Sequence, residues 1–368
     1  MPTAVGCAGA TWVTDARRRV WENPSQGLRV RLPSAGVTTG QGGEFEVIAR
    51  IQRRLAVPGG DGRELPQPGP GEVYSGDDAA VLGVLGGTRF LLAIDLIVEG
   101  VHVDLGLGSL ADAGWKAFSV NASDIAAMGG RPLHAVAGVS APADTDLDAV
   151  TDGMAEACLS EGIALVGGDL AGGERLVISV AITGTCDGRE PVLRSGARAG
   201  DVIWVSGPLG ASAAGLELLQ ARRRPGGPAC AEAIGGTAGE LRLIGAYRRP
   251  VARVQEGVAA AVAGATAMID VSDGLSKDLD HIATQSGVGL RLSSVPVAEG
   301  ATLEQALGGG EDYELAFTAP EQAPVLESFE AAALAPPVRI GLCSDDPAER
   351  SLAGRRLEIR GWEHSFRA

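Results

Sequence analysis

Residues 89–140 read RFLLAIDLIVEGVHVDLGLGSLADAGWKAFSVNASDIAAMGGRPLHAVAGVS, and three segments of different period follow one another within them. Residues 89–98 form a nearly continuous apolar run interrupted by Asp95, which suits a buried strand carrying one carboxylate. Residues 110–128 repeat their apolar positions at helical spacing, and residues 134–140 return to a strand-like run. The alternation continues outward. Strand-like runs lie at 163–166, 176–185, 202–206, 267–271, 313–318 and 338–343, with helix-like segments at 146–160, 212–219, 251–262, 275–285 and 322–334 between them. Strands and helices interleave throughout, so the fold class is α/β or α+β. Upstream, Phe45, Val47, Ile48, Ile51 and Leu55 repeat at helical spacing before a Gly- and Pro-dense loop at 58–71.

A chain of 368 residues, at about 100 to 200 per domain, is expected to hold two domains. The boundary falls best where one strand-rich block ends in RSGARAGD, giving a domain over 43–194 and another over 195–368. Residues 1–42 lack sustained periodicity and read as a flexible extension, and 222–236 as a mobile surface loop. The formal net charge of −15, with aromatics at 4%, argues against a broad nucleic-acid surface. Five scattered cysteines without a CxxC indicate neither zinc nor a disulfide framework and fit a reducing cytoplasm. No apolar stretch is long enough to span a membrane. Only Lys116 and Lys277 are lysines, against 29 arginines, and neither follows Gly, so a P-loop is excluded; GxGxxG after a strand, GxSxG and HExxH are also absent.

Acidic residues stand beside Gly or at the ends of apolar runs, in Gly76-Asp77-Asp78, Ile94-Asp95-Leu96, Asn121-Ala122-Ser123-Asp124, Gly167-Gly168-Asp169 and Ile269-Asp270-Val271-Ser272-Asp273-Gly274. Each alone is also a common turn or cap. A carboxylate within an apolar run, such as Asp95, is costly to bury without a partner, and a cation is the simplest one. Asn121 and Asp124, three apart on one helix, project to one face. Several carboxylates at strand ends and no P-loop lysine suit Mg²⁺ bridging to phosphate oxygens, hence a Mg²⁺-nucleotide enzyme with the acceptor left open.

Taken in order, GEFEVIARI, GDDAAVL, DLIVEGVHVDL, GWKAFSVNASDIAAMGGRP, LVGGDLAGG, LRSGARAGDVIWVSGPLGASAAGLELL, IDVSDGLSKDLDHIA and GGEDYELAFT span most of the chain from Gly43. As a set they resemble the thiamine-monophosphate kinase family, of the aminoimidazole-ribonucleotide-synthetase-like superfamily. The resemblance implies a two-domain fold whose N-terminal sheet domains pair in a homodimer, and ATP-dependent phosphorylation of thiamine monophosphate to thiamine diphosphate. It implies several Mg²⁺ ions, with K⁺ as a further candidate, held by Asp78, Asp95, Asp124, Asp169, Asp270 and Asp273. Gly168, Asp169, Arg194 and Ser272 would meet ATP, and His102, Glu311 and Trp362 the acceptor. Neither nucleic acid nor membrane is expected as a partner, and no protein base or nucleophile is needed. Two departures from the family pattern stand out. Ala93-Ile94 precede Asp95, and Leu96 follows it, where hydroxyl residues are usual; the C-terminal GWEHSF differs from GWxHF by one residue. The alternatives are another ATP-using member of the superfamily or a non-catalytic binder of thiamine phosphate or Mg-nucleotide.

Overall fold

A computed structural model describes residues 11–15, 18–23, 28–31, 69–74, 77–83, 89–223 and 236–363. The helix expected from Glu44 and most of the loop expected at 222–236 lie outside these residues. Within the N-terminal extension, β1 (Thr11–Asp15), β2 (Arg18–Asn23) and β3 (Leu28–Arg31) pair as an antiparallel meander. Their short runs of Trp, Val and Thr have strand propensity, although they are too brief to stand out as periodic.

Pro66–Trp362 forms one compact unit. Its first sheet contains β4 (Ala80–Gly83), β5 (Arg89–Val98), β6 (Arg131–Ala141), β7 (Ala164–Gly172) and β8 (Val177–Thr185) in the order β4-β5-β8-β6-β7. All pairs are antiparallel except β6 with β7. On one face lie α1 (Leu110–Ala127) and α2 (Leu147–Glu161). Ser109 caps α1 in a capping box with Asp112. Glycines let the helices approach closely: a Cβ on Gly153 would lie 1.9 Å from the Ala111 carbonyl, and one on Gly114 2.1 Å from that of Val150. Leu91, Ile97, Ile178, Val180 and Ile182 fill the inner face beneath α1.

Among the described residues, the opposite face of this sheet is left exposed. Ile94 is 64% exposed, Leu96 51% and Val136 45%. This corrects the expectation that β5 is buried throughout: its burial alternates because helices cover one side only, and Asp95 is exposed as well. Gly167-Gly168-Asp169, expected to end the strand-like run at 163–166, lies instead in the middle of β7. Gly168 makes that pairing possible, since a Cβ there would stand 2.2 Å from the Ala137 carbonyl oxygen.

The second sheet comprises β9 (Val202–Val205), β10 (Ala267–Asp270), β11 (Gly289–Leu292), β12 (Leu315–Ala319), β13 (Val338–Ser344), β14 (Arg350–Leu352) and β15 (Arg355–Arg356), ordered β10-β12-β9-β13-β11-β14-β15. The helices of this half are α3 (Ala211–Arg222), α4 (Ala238–Arg248), α5 (Val254–Val262), α6 (Leu275–Ser286), α7 (Leu303–Gly308) and α8 (Val325–Ala331). One apolar core continues from under α1 to Met268, Leu315 and Phe317 of β10 and β12, and a second gathers Ile203, Ile269, Leu279 and Leu290. The short β10 therefore ends against α1, which brings Asp270 to a helix of the first half. No helix among the described residues is long and apolar enough to cross a membrane.

Candidate functional site

Asp78 precedes β4, Asp124 lies in the last turns of α1, and Asp270 closes β10. Their carboxylates each offer an oxygen within 4.8 Å of the others. Ser123 donates to Asp270 Oδ2 at 2.7 Å. Burial holds the Asp124 carboxyl well above the usual carboxylate range, and the negative charges of Asp95, Asp270 and Asp78 push in the same direction. Asp270 is pushed up to about 8, first by burial and then by Asp78, against the opposing Ser123 hydrogen bond. These shifts describe a place short of positive charge.

The nearby cation is Arg194, which clasps Asp78 with Nε at 3.0 Å and Nη2 at 2.6 Å. Its backbone N–H donates to Asp77 at 2.8 Å, and burial raises Asp77 to about 6. One guanidinium thus faces at least three clustered carboxylates. An all-oxygen donor set with room left for waters and phosphate oxygens suits Mg²⁺, so the residues present fit the ion implied by the sequence.

The other sequence-selected residues fall into two groups. Asp95 is near enough to raise Asp124 and Asp270, and its backbone N–H is held by Asn121 Oδ1 at 3.0 Å. Asn121 is buried and also donates to the Ala117 carbonyl, which fixes its orientation. Asp169 lies outside the cluster. It pairs along the row Gly138, Ser179 and Leu96, whereas Asp95 belongs to the neighbouring row with Val180, Ala137 and Gly168, so Asp169 and Asp95 face opposite sides of the sheet. Asp273 forms an ion pair with Lys277 at 2.8 Å, and its carbonyl accepts from the Trp362 backbone. Lys277 also donates to the Trp362 carbonyl, while the indole side is largely exposed.

Glu311 reaches the site through a strained loop. Glu311 (φ 65°) and Tyr313 (φ 51°) both occupy the left-handed region without being glycine, at a cost of about 1–3 kcal/mol each. The loop is tied down by Glu311 N–H to the Ser272 carbonyl, Tyr313 N–H to that of Val271, and Asp312, which accepts from Gly210 N at 2.6 Å and Ser212 N at 3.1 Å. Burial raises Asp312 to about 6 despite those bonds. Glu311 receives a hydrogen bond from Lys116 Nζ at 3.0 Å, and the His102 ring accepts from Val98 N–H at its Nδ1. The sequence reading missed Lys116, Asn121 as the support of Asp95, and Asp312. The fact that only two lysines occur was a usable signal, since both pair with acidic residues of this site.

Residues 76–186 match the family described as AIR synthase related protein, N-terminal domain, and 198–352 its C-terminal domain. The chain is 39% identical over 300 residues to the thiamine-monophosphate kinase of Mycobacterium tuberculosis, covering 77% of this chain and 83% of that one. It is 32% identical over 311 residues to the Bacillus subtilis protein of the same name, covering 80% and 93%. The chain belongs to the thiamine-monophosphate kinase family. A solved member, AaThiL complexed with AMPPCP and TMP, superposes with a TM-score of 0.71 at 32% identity, covering 88% of this chain and 97% of that one. The two-domain α/β architecture and the ATP-using kinase class expected from the sequence are those of this family.

Proposed function

We propose that the chain transfers the γ-phosphoryl group of ATP directly, in line, onto the phosphate of thiamine monophosphate, with Mg²⁺ held at Asp78, Asp124 and Asp270. The observation that carries this reading is the convergence of three carboxylates on one point with, among the described residues, one guanidinium paired to them. Bound there, Mg²⁺ would reduce the repulsion between two anionic phosphates and orient the group in flight. Asp95 adds its charge to the cluster, and Asn121 holds it in place; Asp273 would serve from the second half, whereas Asp169, on the other side of the sheet, takes no part in this cluster. In this reading Arg194 exchanges Asp78 for nucleotide phosphate oxygens, and Gly168 and Ser272 approach the nucleotide.

The acceptor carries a cationic thiazolium ring and an aminopyrimidine, groups that suit the Glu311 carboxylate, the His102 ring and the exposed Trp362 indole. A phosphate monoester has a second pKa of about 6, so the attacking oxygen is already largely deprotonated at neutral pH. No side chain need act as base, and positioning supplies the catalysis. The test is ADP release with ATP, Mg²⁺ and thiamine monophosphate, with and without K⁺, and with thiamine as control acceptor. Thiamine diphosphate formed from the monophosphate alone supports the reading; saturable binding without ADP would favour the binding-protein alternative and point to Ala93-Ile94 as its cause. A phosphorylated protein residue that turns over competently would defeat direct transfer.

The homodimer is part of the same proposal. Ile94, Leu96 and Val136 form an apolar outer face, and β7 is an exposed edge strand, a combination that soluble chains normally cover. Ile94→Glu is expected to convert a dimer to a monomer in light scattering. An unchanged mass would remove this face from the interface. The buried, unpaired Cys158, Cys186 and Cys343 accord with work in a reducing cytoplasm.

A further inference from the structure

Lys116 is 1% exposed in a helix whose buried positions are otherwise small or apolar apart from Asn121. An ammonium group removed from water is expensive unless its protons are met. Here all three are: Nζ lies 3.0 Å from Glu311 Oε2, 3.5 Å from the His102 carbonyl oxygen and 4.4 Å from the centre of the Tyr247 ring, over its face. No donor is left over for a phosphate. An arginine would bring five donors in a rigid fork to a place with three acceptors, which accounts for a lysine in a chain whose other basic residues, apart from Lys277, are arginines.

We propose that Lys116 is a positioning residue that joins the two acceptor contacts, holding the Glu311 carboxylate and the His102 segment in one fixed relation so that they meet the cationic acceptor together. This rests on the reading of Glu311 and His102 as acceptor contacts. The backbone of Glu311 is anchored by Ser272, but its side chain projects from a left-handed residue, and Lys116 is the cation that fixes its outer end. The metal cluster has separate supports in Ser123, Asn121 and Arg194, so the effect of Lys116 is confined to the acceptor.

The test is a double-mutant cycle on the full chain with Lys116→Met, which keeps an unbranched stem and removes the charge, and Glu311→Gln. Lys116→Met is expected to raise KM for thiamine monophosphate about tenfold, the loss of one charge-assisted contact, with kcat and the KM for ATP within about twofold. In the Glu311→Gln background the same change is expected to add nothing to KM. If KM for the acceptor is unchanged in Lys116→Met, or if the two effects multiply, the proposal falls, and so it does if both KM values and kcat worsen together as the protein loses stability. If Glu311→Gln itself leaves KM unchanged, the acceptor reading falls with it, whereas a rise in Glu311→Gln without one in Lys116→Met overturns only the role of Lys116. Should Lys116→Met not fold, Lys116→Gln carries the test, because it keeps a donor within the buried position but removes the charge that holds Glu311. A rise in acceptor KM is then expected, and an unchanged value overturns the proposal.

Discussion

Two buried carboxylate networks lie close together in this fold and are built on opposite principles. Glu314 is 5% exposed, and both its oxygens are met: Arg253 donates to Oε1 through Nε at 3.0 Å and Nη2 at 2.5 Å, and the Ser206 hydroxyl donates to Oε2 while accepting from Leu315 N–H. One negative charge faces one positive charge, and the network is closed. At Asp78, Asp124 and Asp270 the acidic groups outnumber the guanidinium, and burial and mutual repulsion drive carboxyl groups upward. A network that is complete without a ligand stabilises the fold. One left short of positive charge gives up stability, which the proposed Mg²⁺ would restore.

The largest effect that separates the two is expected from Asp124→Asn. Removing this proposed Mg²⁺ ligand should lower kcat by roughly a thousandfold or more, the scale of losing a principal electrostatic contact in group transfer. Relief of repulsion should leave the Tm of the Mg²⁺-free protein equal or higher. Activity within tenfold of the parent would take Asp124 out of the metal site. Arg253→Met should do the reverse, costing about 2–3 kcal/mol in urea denaturation because a buried carboxylate loses its partner, with kcat per folded molecule nearly unchanged. A stable but inactive Arg253→Met would merge the two networks and end the contrast.

A smaller effect comes from pH. The folded-state pKa of Asp270, about 8, and the raised value of Asp124 lie above those of the unfolded chain, so the Mg²⁺-free folded state holds extra protons near neutrality. Their contribution is present at low pH and is lost as pH rises through the folded values. The Tm of the Mg²⁺-free protein should therefore fall between pH 6 and pH 9, and added Mg²⁺ should raise it more at pH 9, where the carboxylates are already free of protons. A Mg²⁺ shift that is equal at both pH values would argue that these groups do not bind the ion.

How much of this was open to sequence reading depended on the range of the interaction. The helix at α1 and the strands β5, β6 and β8 are long and periodic, and residues 110–128 were expected to be helical where 110–127 are. The four-residue β11 and the two-residue β15 carry too few residues for a period to show. α4 was legible but overlooked: Thr237 and Glu240 are a capping box, and Leu243, Ile244 and Tyr247 recur at helical spacing. In the site, Asp78, Asp124 and Asp270 announced themselves as acids beside apolar runs. Lys116 and Glu311, 195 positions apart, meet only because the loop after α7 returns to β10 and α1, a tertiary pairing that no local pattern encodes.

Glu161, at the end of α2, gives the finest test of the contrast. Burial raises it to about 7, opposed by a backbone hydrogen bond from Ala252 and the charge of Arg253, while Glu256 adds to the rise. Among the described residues its Oε1 is enclosed without a hydrogen-bond partner, because the guanidinium of Arg253 is directed to Glu314. The folded value lies above the usual 4.5, so stability associated with Glu161 is full below about pH 4.5 and is lost as pH rises through about 7. Glu161→Gln keeps the shape and removes the titration. Its denaturation free energy should match the parent near pH 4.5 and exceed it by about 1–2 kcal/mol at pH 8, a value below the full shift because the side chain is partly exposed. A gain that is the same at both pH values would come from packing instead. No gain at pH 8 would mean that Arg253 satisfies both acids, and that the closed network extends to the end of α2.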